Sequence, residues 1–180
     1  MALGATVYHF QIDLSDVDRG VYEALDLRVA RHPSETMRYL LTRVIAYCLL
    51  YEEGIAFTKG LSSADDPALW IKDLQGNLRA WIEIGSPSAE RLHKASKGCL
   101  RVVVFTHHDP GLLKAAAKTK AIHKAEAIQV FALDGAALDA LDAATDRNAK
   151  WTVVHTEGVL YVTCGEANIH TPVAAHSLVD

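Results

Sequence analysis

An apolar strand with one carboxylate near its end is the feature that most constrains this fold. Leu78 to Ile84 read LRAWIEI, a run rich in apolar and aromatic side chains. The sequence predicts a strand before this run, a turn at residues 75–77 and a following helix that Ser88 can cap. The stretch from Asp65 to Ala95 is therefore expected to form a strand hairpin followed by a helix.

The carboxylate in that strand belongs to Glu83, and its position permits two interpretations. Side chains alternate along a strand, so Glu83 shares a face with Trp81, and a strand this apolar is expected to be covered on both faces. A carboxylate on a covered face is costly unless it is paired, bound to a cation or protonated. Glu83 is either a structural residue, paired with a cation or reaching solvent, or part of a functional site.

The following helix brings two cations toward that carboxylate. Arg91 and Lys94 are three positions apart and so share a helix face. If that face looks back at Glu83, the two cations meet the acids of the hairpin. Lys59 precedes the hairpin and could reach the same place, although such a lysine is more often solvated.

A second helix is predicted after a strand-to-helix junction. Pro33 disfavours a helical conformation at His32, and Ser34 is a good capping residue, so the helix is expected to begin there and to run to about Glu53. Glu35 then lies in the first turn, where the helix dipole favours an acid. The helix carries one apolar stripe. Its members are Met37, Leu40, Leu41, Val44, Ile45, Cys48 and Leu49.

The remaining pattern predicts further strands and helices around these elements. An N-terminal hairpin is expected at residues 5–14 and 22–30, and a C-terminal one at 151–155 and 159–163. A short extended segment is expected at residues 55–61. Apolar runs at 100–106 and 127–133 are typical of buried strands, with a helix from residue 109 to about residue 124 between them and another at residues 134–144 after them. The fold class is therefore α/β (α+β) with a mixed sheet.

Length and composition limit the classes of protein that fit. The 180 residues are 50% hydrophobic, which predicts a single domain over residues 1–180 with a substantial core. The net charge of −4 gives no basic footprint, so a nucleic-acid partner is not supported by charge, and a protein partner stays open.

The cellular location of the protein is predicted from its cysteines and from the length of its apolar runs. The three cysteines lie far apart in apolar surroundings without a C-x-x-C motif, which is typical of reduced cysteines in a cytoplasmic protein. The N-terminus lacks a signal-peptide pattern, and no apolar run approaches the ~18–20 residues that span a bilayer. We therefore expect a cytoplasmic protein without a membrane partner.

Three segments carry a resemblance to a known family. They are the opening MALGATVYHFQIDLSDVDRG, the motif RHPSET at residues 31–36, and the stretch FTKGL…DDPALWIKD…WIEIGSP that begins at Phe57. They resemble the YaeQ family, which looks like a divergent branch of the PD-(D/E)XK nuclease-like superfamily. The resemblance implies a restriction-endonuclease-like αβββαβ core with a mixed sheet, plus N-terminal and C-terminal β-hairpins.

The resemblance also implies roles for particular residues. The implied catalytic residues are Glu35, Glu83 and Lys94. The implied ligands of Mg²⁺ or Mn²⁺ are Glu83 and the hairpin acid, which is Asp65 or Asp66. The residues implied to border the site are His32, Ser34, Lys59 and Arg91. The superfamily pattern has a lysine where this chain has Gly85, so Lys94 stands in for it.

Two functions remain open at this point. One is metal-dependent phosphodiester hydrolysis of nucleic acid, since hard cations prefer carboxylate oxygens and activate water. The other is a non-catalytic binding or regulatory module that kept the fold and lost the nuclease activity. In that module the acids and cations form a polar network. Gly85 in place of the lysine counts against hydrolysis, and the second function accounts for it without a further assumption.

Overall fold

The computed structural model describes residues 4–59 and 63–180 and has a mixed α+β fold. In these residues four α-helices accompany two mixed sheets, one in each of two compact units. The first unit comprises Met1–Tyr51 and Asp134–Val173, and the second comprises Glu52–Leu133 and Ala174–Asp180. The single domain predicted from length stays a prediction.

The helices and strands follow one another in an order close to the expected one. In chain order they are β1 (Thr6–Asp16), β2 (Val21–Arg31), α1 (Met37–Leu49), β3 (Ile55–Phe57), β4 (Leu69–Lys72), β5 (Leu78–Ile84), α2 (Ala89–Gly98), β6 (Val102–Thr106), α3 (Pro110–Thr119), β7 (Gln129–Ala132), α4 (Gly135–Ala144), β8 (Asn148–Thr156), β9 (Val159–Cys164), β10 (Ala167–Pro172) and β11 (Ala174–Ser177). A short 3₁₀ turn at Ala125–Ala127 precedes β7.

The first unit contains a five-stranded sheet in the order β10-β9-β8-β1-β2. The two predicted hairpins join because β1 lies parallel to β8, while the other pairs are antiparallel. One face of this sheet is buried, because Phe10 and Leu14 on that face are fully inaccessible to solvent. Alternate residues such as Gln11 and Asp13 are exposed on the other face, as the period of a half-buried strand requires.

The second unit contains a six-stranded sheet in the order β11-β7-β6-β5-β4-β3. Here β5, β6 and β7 run parallel and the remaining pairs run antiparallel. β5 is a central strand, because it pairs with β4 on one side and β6 on the other. Glu83 stands opposite Val104, a fully buried residue of β6.

Helix α2 packs its apolar face in the second unit. Ser88 caps it by accepting a hydrogen bond from the backbone N–H of Arg91, as predicted. Leu92 and Ala95 are buried in a cluster with residues of β6, and the Trp81 ring packs against that cluster. Burial of a leucine side chain of this kind contributes about 1.5–3 kcal/mol. The helix is thereby fixed beside the end of β5.

The predicted start and end of α1 were wrong. The helix spans Met37–Leu49, and its cap is Thr36, whose hydroxyl accepts from the backbone N–H of Tyr39 at 3.2 Å. Glu35 precedes the helix because residues 32–35 form a turn, in which Glu35 N donates to His32 O at 2.9 Å. Ser34 therefore belongs to this turn and does not cap the helix.

Other boundaries also differ from the expectation. Helix α3 ends at Thr119 instead of about residue 124, and Lys124 has a left-handed backbone with φ of 48° before the 3₁₀ turn. The extended segment predicted for residues 55–61 is a strand only over Ile55–Phe57, and residues 60–62 lie outside the described part of the chain. Strands β10 and β11 gave no signal in the sequence. Within residues 4–59 and 63–180, each helix is too short or too polar to cross a bilayer.

Candidate functional site

The candidate site of the second unit begins with two side chains of β5. Trp81 and Glu83 lie two residues apart and so project from the same face of the strand. The indole Nε1 of Trp81 donates to Oε1 of Glu83 at 2.7 Å. Glu83 is only 4% exposed, so this hydrogen bond compensates part of the cost of burying a carboxylate.

Helix α2 supplies the cation that pairs with Glu83. Arg91 Nε donates to Oε1 of Glu83 at 2.7 Å. The same guanidinium donates from Nη1 to the carbonyl of Ala64 and from Nη2 to the carbonyl of Asp66. Arg91 therefore joins the loop before β4 to the end of β5 through three contacts. The structure brings Glu83 and Arg91 together as a pair, which the sequence had left as one of two interpretations.

A cavity of about 240 Å³ lies against this pair. Its lining consists of Ala64, Asp65, Trp81, Arg91, Lys94, Ala95 and Gly98. Lys94 Nζ lies 3.5 Å from Oδ1 of Asp65, and both side chains are largely exposed, at 80% and 89%. Salt and solvent screen such an exposed pair, so it contributes little to stability and can open to admit a ligand.

Burial raises the pKa of Glu83. Desolvation raises the pKa of this carboxyl above its usual value, while the Trp81 indole and the Arg91 guanidinium favour the ionised form. The net direction is upward because burial outweighs the two partners. Its second oxygen, Oε2, accepts no hydrogen bond from the described residues.

The two hairpin acids have different surroundings. Asp65 lines the cavity, whereas Asp66 contacts Arg91 through its backbone carbonyl. Lys59 is exposed. In residues 4–59 and 63–180, no group of three or more His, Cys, Asp or Glu side chains could hold a metal ion. The Mg²⁺ or Mn²⁺ expected from the resemblance therefore stays a prediction.

Glu35 lies in the first unit, where it forms a buried ion pair. Arg43 of α1 donates to both of its carboxylate oxygens, with Nη2 at 2.6 Å from Oε2 and at 2.9 Å from Oε1. The exposed fractions of the two side chains are 2% for Glu35 and 3% for Arg43. Arg31 Nε also donates to the Glu35 carbonyl at 2.9 Å. These contacts fix the turn before α1.

The other predicted residues of the first unit bind each other in that same turn. His32 Nδ1 lies 2.7 Å from the hydroxyl of Ser34, and the backbone N–H of Ser34 donates to the same nitrogen at 3.1 Å. Their side chains therefore have a local structural role.

Two participants were not named as site residues from the sequence. Trp81 was placed on the same face as Glu83 by the alternation of the strand, but its hydrogen bond to Glu83 was not predicted. Arg43 had a weaker signal, which is that it lies next to Val44 and Ile45 in a helix whose residues 40–46 are buried in the structure. An arginine in such a place needs a buried acid.

The model of one protein family, described as YaeQ protein, matches residues 1–173 of this chain. The chain belongs to the YaeQ family. It is 29% identical over 177 residues to the "Uncharacterized protein YaeQ" of Escherichia coli (strain K12), with 97% of both chains covered. The YaeQ relative of Salmonella typhi is 29% identical over 180 residues, again with 97% of both chains covered.

Solved YaeQ structures have the same fold as this chain. The YaeQ protein from Xanthomonas axonopodis pv. citri superposes with a TM-score of 0.88 at 29% identity, covering 96% of this chain and 98% of the other. The YaeQ protein from Pseudomonas syringae gives a TM-score of 0.85 at 33% identity and covers 96% of each chain. The mixed α+β fold described above is therefore that of YaeQ structures.

Proposed function

We propose that this YaeQ chain is a non-catalytic binding module whose site accepts an anionic group. The order α1, β3, β4, β5, α2, β6 has the αβββαβ succession of the PD-(D/E)XK nuclease-like core, and we assign that core to this chain. In this proposal the chain retains the fold but not the hydrolytic site. That site is replaced by a clamp, in which Arg91 binds Glu83 and the carbonyls of Ala64 and Asp66, and by an anion pocket in the adjacent cavity.

The observation that carries the proposal is the engagement of Glu83 by Arg91. A carboxylate that binds a catalytic metal directs its lone pairs at the cation. Here Oε1 accepts from both Arg91 and Trp81, and the guanidinium brings a positive charge to the place that a metal would take. Two further contacts of Arg91, to the carbonyls of Ala64 and Asp66, then fix the loop at residues 64–66. In this proposal the role of Glu83 is to orient the Arg91 guanidinium.

The cavity beside this clamp has the chemistry of an anion site. A guanidinium has five N–H groups, and the described contacts of Arg91 use three of them. Lys94 adds an exposed ammonium group, and Trp81 forms an aromatic wall. A phosphate or carboxylate group would form charge-assisted hydrogen bonds with the two cations. Asp65 would release Lys94 when the anion binds.

A second candidate is metal-dependent phosphodiester hydrolysis, favoured by the unoccupied Oε2 of Glu83. Asp65 or Asp66 and Glu83 would then hold Mg²⁺ or Mn²⁺, and Lys94 would neutralise charge on the phosphate. The catalytic role that the resemblance implies for Glu35 is disfavoured, since both of its oxygens already accept strong hydrogen bonds from Arg43 within the first unit.

Calorimetric titration separates the two candidates. Mg²⁺, Mn²⁺ and inorganic pyrophosphate are each titrated into the wild-type chain and into Glu83→Gln, Lys94→Ala and Lys97→Ala. Lys97 is the matched control because it is exposed on the same helix and does not line the cavity. We expect no heat from either metal, and pyrophosphate binding that Lys94→Ala weakens and Lys97→Ala retains. Metal binding that Glu83→Gln abolishes would establish the hydrolytic candidate instead.

A further inference from the structure

The sheet of the first unit ends in a long and regular edge strand. β2 has eleven residues and pairs with β1 along its whole length, from Val21 opposite Asp16 to Arg31 opposite Thr6, without a bulge. It is the last strand in the order of the sheet, so one side has no neighbouring strand among the described residues. Edges of this kind are where a further strand adds through backbone hydrogen bonds.

The orientation of the backbone identifies the residues that face this edge. His9 N donates to Arg147 O at 2.7 Å, so His9 directs its N–H away from β2. His9 stands opposite Arg28, and this antiparallel pair is therefore a non-hydrogen-bonded one. Arg28 consequently directs its own N–H and C=O to the free edge, as do residues two positions away. The contact of Ala30 supports this orientation, because its carbonyl accepts a hydrogen bond from Arg43 Nη2 at 2.9 Å and not from β1.

The side chains of β2 are complementary to a second copy of themselves. We consider two β2 strands running antiparallel, with Leu27 opposite the Leu27 of the second copy. In this register the facing residues are Asp26 and Arg28, Glu23 and Arg31, Leu25 and Val29, and Ala24 and Ala30. Each acid thus opposes a base, and each apolar residue opposes another. The register also places the edge-facing residues opposite each other, as hydrogen-bonded pairs require.

Neighbouring registers lack this match. Moving the centre by one residue puts Asp26 opposite Asp26, or Arg28 opposite Arg28, and like charges directly opposite are destabilising. Registers that oppose odd and even positions would place the buried face of one strand beside the exposed face of the other. One antiparallel register is therefore favoured by both charge and burial.

We propose that two copies of this chain associate through β2, with a twofold axis beside Leu27. The two five-stranded sheets then form one continuous sheet in which buried and exposed faces are preserved. Such an interface is isologous, because each residue pair occurs twice about the axis. The contact of Arg43 with Ala30 lies at the outer end, so the central pair of Asp26 and Arg28 carries most of the specificity.

A charge-swap experiment tests this assembly on the full chain. Sedimentation velocity over a concentration series measures self-association of the wild type, of Arg28→Asp and of the double variant Asp26→Arg/Arg28→Asp. The single variant creates two acid–acid pairs and is expected to weaken association about tenfold. The double variant restores opposite charges in the same register and is expected to recover it.

A backbone variant provides an independent arm. Asp26→Pro removes an N–H at the centre of the free edge, where it would face Arg28 of the second copy, and leaves the hydrogen bonds to β1 in place, so the monomer is expected to fold and to lose association. Circular dichroism and thermal unfolding establish that each variant is folded. A wild type that stays monomeric throughout the series, or a double swap as weak as the single variant, would overturn the proposal.

Discussion

Arg91 Nε and Glu83 Oε1 are 2.7 Å apart in a contact between α2 and β5. The exposed fraction of the Glu83 side chain is 5% and that of Arg91 is 31%. The carboxylate is thus nearly inaccessible, while the guanidinium bridges it to the cavity. Because the same guanidinium holds the carbonyls of Ala64 and Asp66, one residue connects strand, helix and loop.

Removal of that guanidinium is expected to destabilise the chain. Arg91→Ala leaves a buried carboxylate with only the Trp81 indole and frees two loop carbonyls, which costs about 2–3 kcal/mol of unfolding free energy. Urea denaturation at neutral pH measures this loss. Lys94→Ala is the matched control on the same helix, expected to change stability by less than about 0.5 kcal/mol, because Lys94 is exposed. Equal losses of unfolding free energy in the two variants would contradict the role of Arg91 as a clamp.

The pair of Glu35 and Arg43 predicts a larger effect. Arg43→Ala leaves an uncompensated buried carboxylate and is expected to cost about 3–5 kcal/mol. The exposed pair of Arg38 and Asp139, 2.6 Å apart, provides the control, and Arg38→Ala should cost less than about 1 kcal/mol. Guanidinium denaturation with tryptophan fluorescence provides the measurement. If Arg43→Ala were as mild as the control, the role of Glu35 would lie in a ligand site and not in the fold.

The parts predicted from sequence are those that depend on local information. β5 has the predicted bounds, because alternation and the turn before it specify a strand within a few residues. The start of α2 was also predicted, since Ser88 precedes the helix directly. The start of α1 was not, because Ser34 and Thr36 are both good caps. The turn formed by residues 32–35 decides between them, and Glu35 of this turn binds Arg43, a residue of the helix itself.

Contacts between distant residues explain what the sequence could not predict. Arg91 reaches the carbonyl of Ala64, 27 residues away, and no periodic pattern encodes that contact. Strand β11 has four residues and exists through its pairing with β7, about forty positions earlier in the chain. The face that Trp81 and Glu83 share could be predicted from alternation. The sequence did not identify which cation binds this face, because Arg91 was one of several candidates.

The protonation of Glu83 predicts a pH dependence of stability. Burial raises the pKa of Glu83 above its usual 4.5, so the folded chain binds this proton more tightly than the unfolded chain does. Its contribution to stability is complete below the unfolded pKa and is lost as the pH rises through the raised folded value. The unfolding free energy of the wild type, relative to Glu83→Gln, should therefore increase as the pH falls through this window.

An acid with the opposite shift provides the contrast for that experiment. Lys120 lowers the pKa of Glu90 through a hydrogen bond, so stability from this group is present at neutral pH and is lost as the pH falls through the folded value. Urea denaturation of the wild type, Glu83→Gln and Glu90→Gln is measured from about pH 3 to about pH 8. The difference in unfolding free energy between wild type and variant should change with pH in opposite directions for the two variants. The same direction of change for both variants would contradict the burial of the Glu83 carboxyl.

Cys48 should resist alkylation in the folded chain. It is fully buried in α1, and burial raises the pKa of its thiol to about 12. Since the thiolate is the reactive form, iodoacetamide should modify Cys48 only when the chain opens. Arg19 donates to the carbonyls of Cys48 and Tyr51 at the end of this helix, at 3.2 Å and 3.0 Å. Removal of Arg19 should therefore promote opening at this helix end.

Labelling followed by peptide mass spectrometry measures this opening residue by residue. Arg19→Ala is expected to increase the labelling rate of Cys48 and to leave that of Cys99 unchanged. Cys99 is the internal control because it is buried in the second unit, whereas Arg19 binds Asp16, Cys48 and Tyr51 of the first unit. A rise at both cysteines would indicate global unfolding, and native Cys48 that labels as fast as it does in urea would contradict its burial.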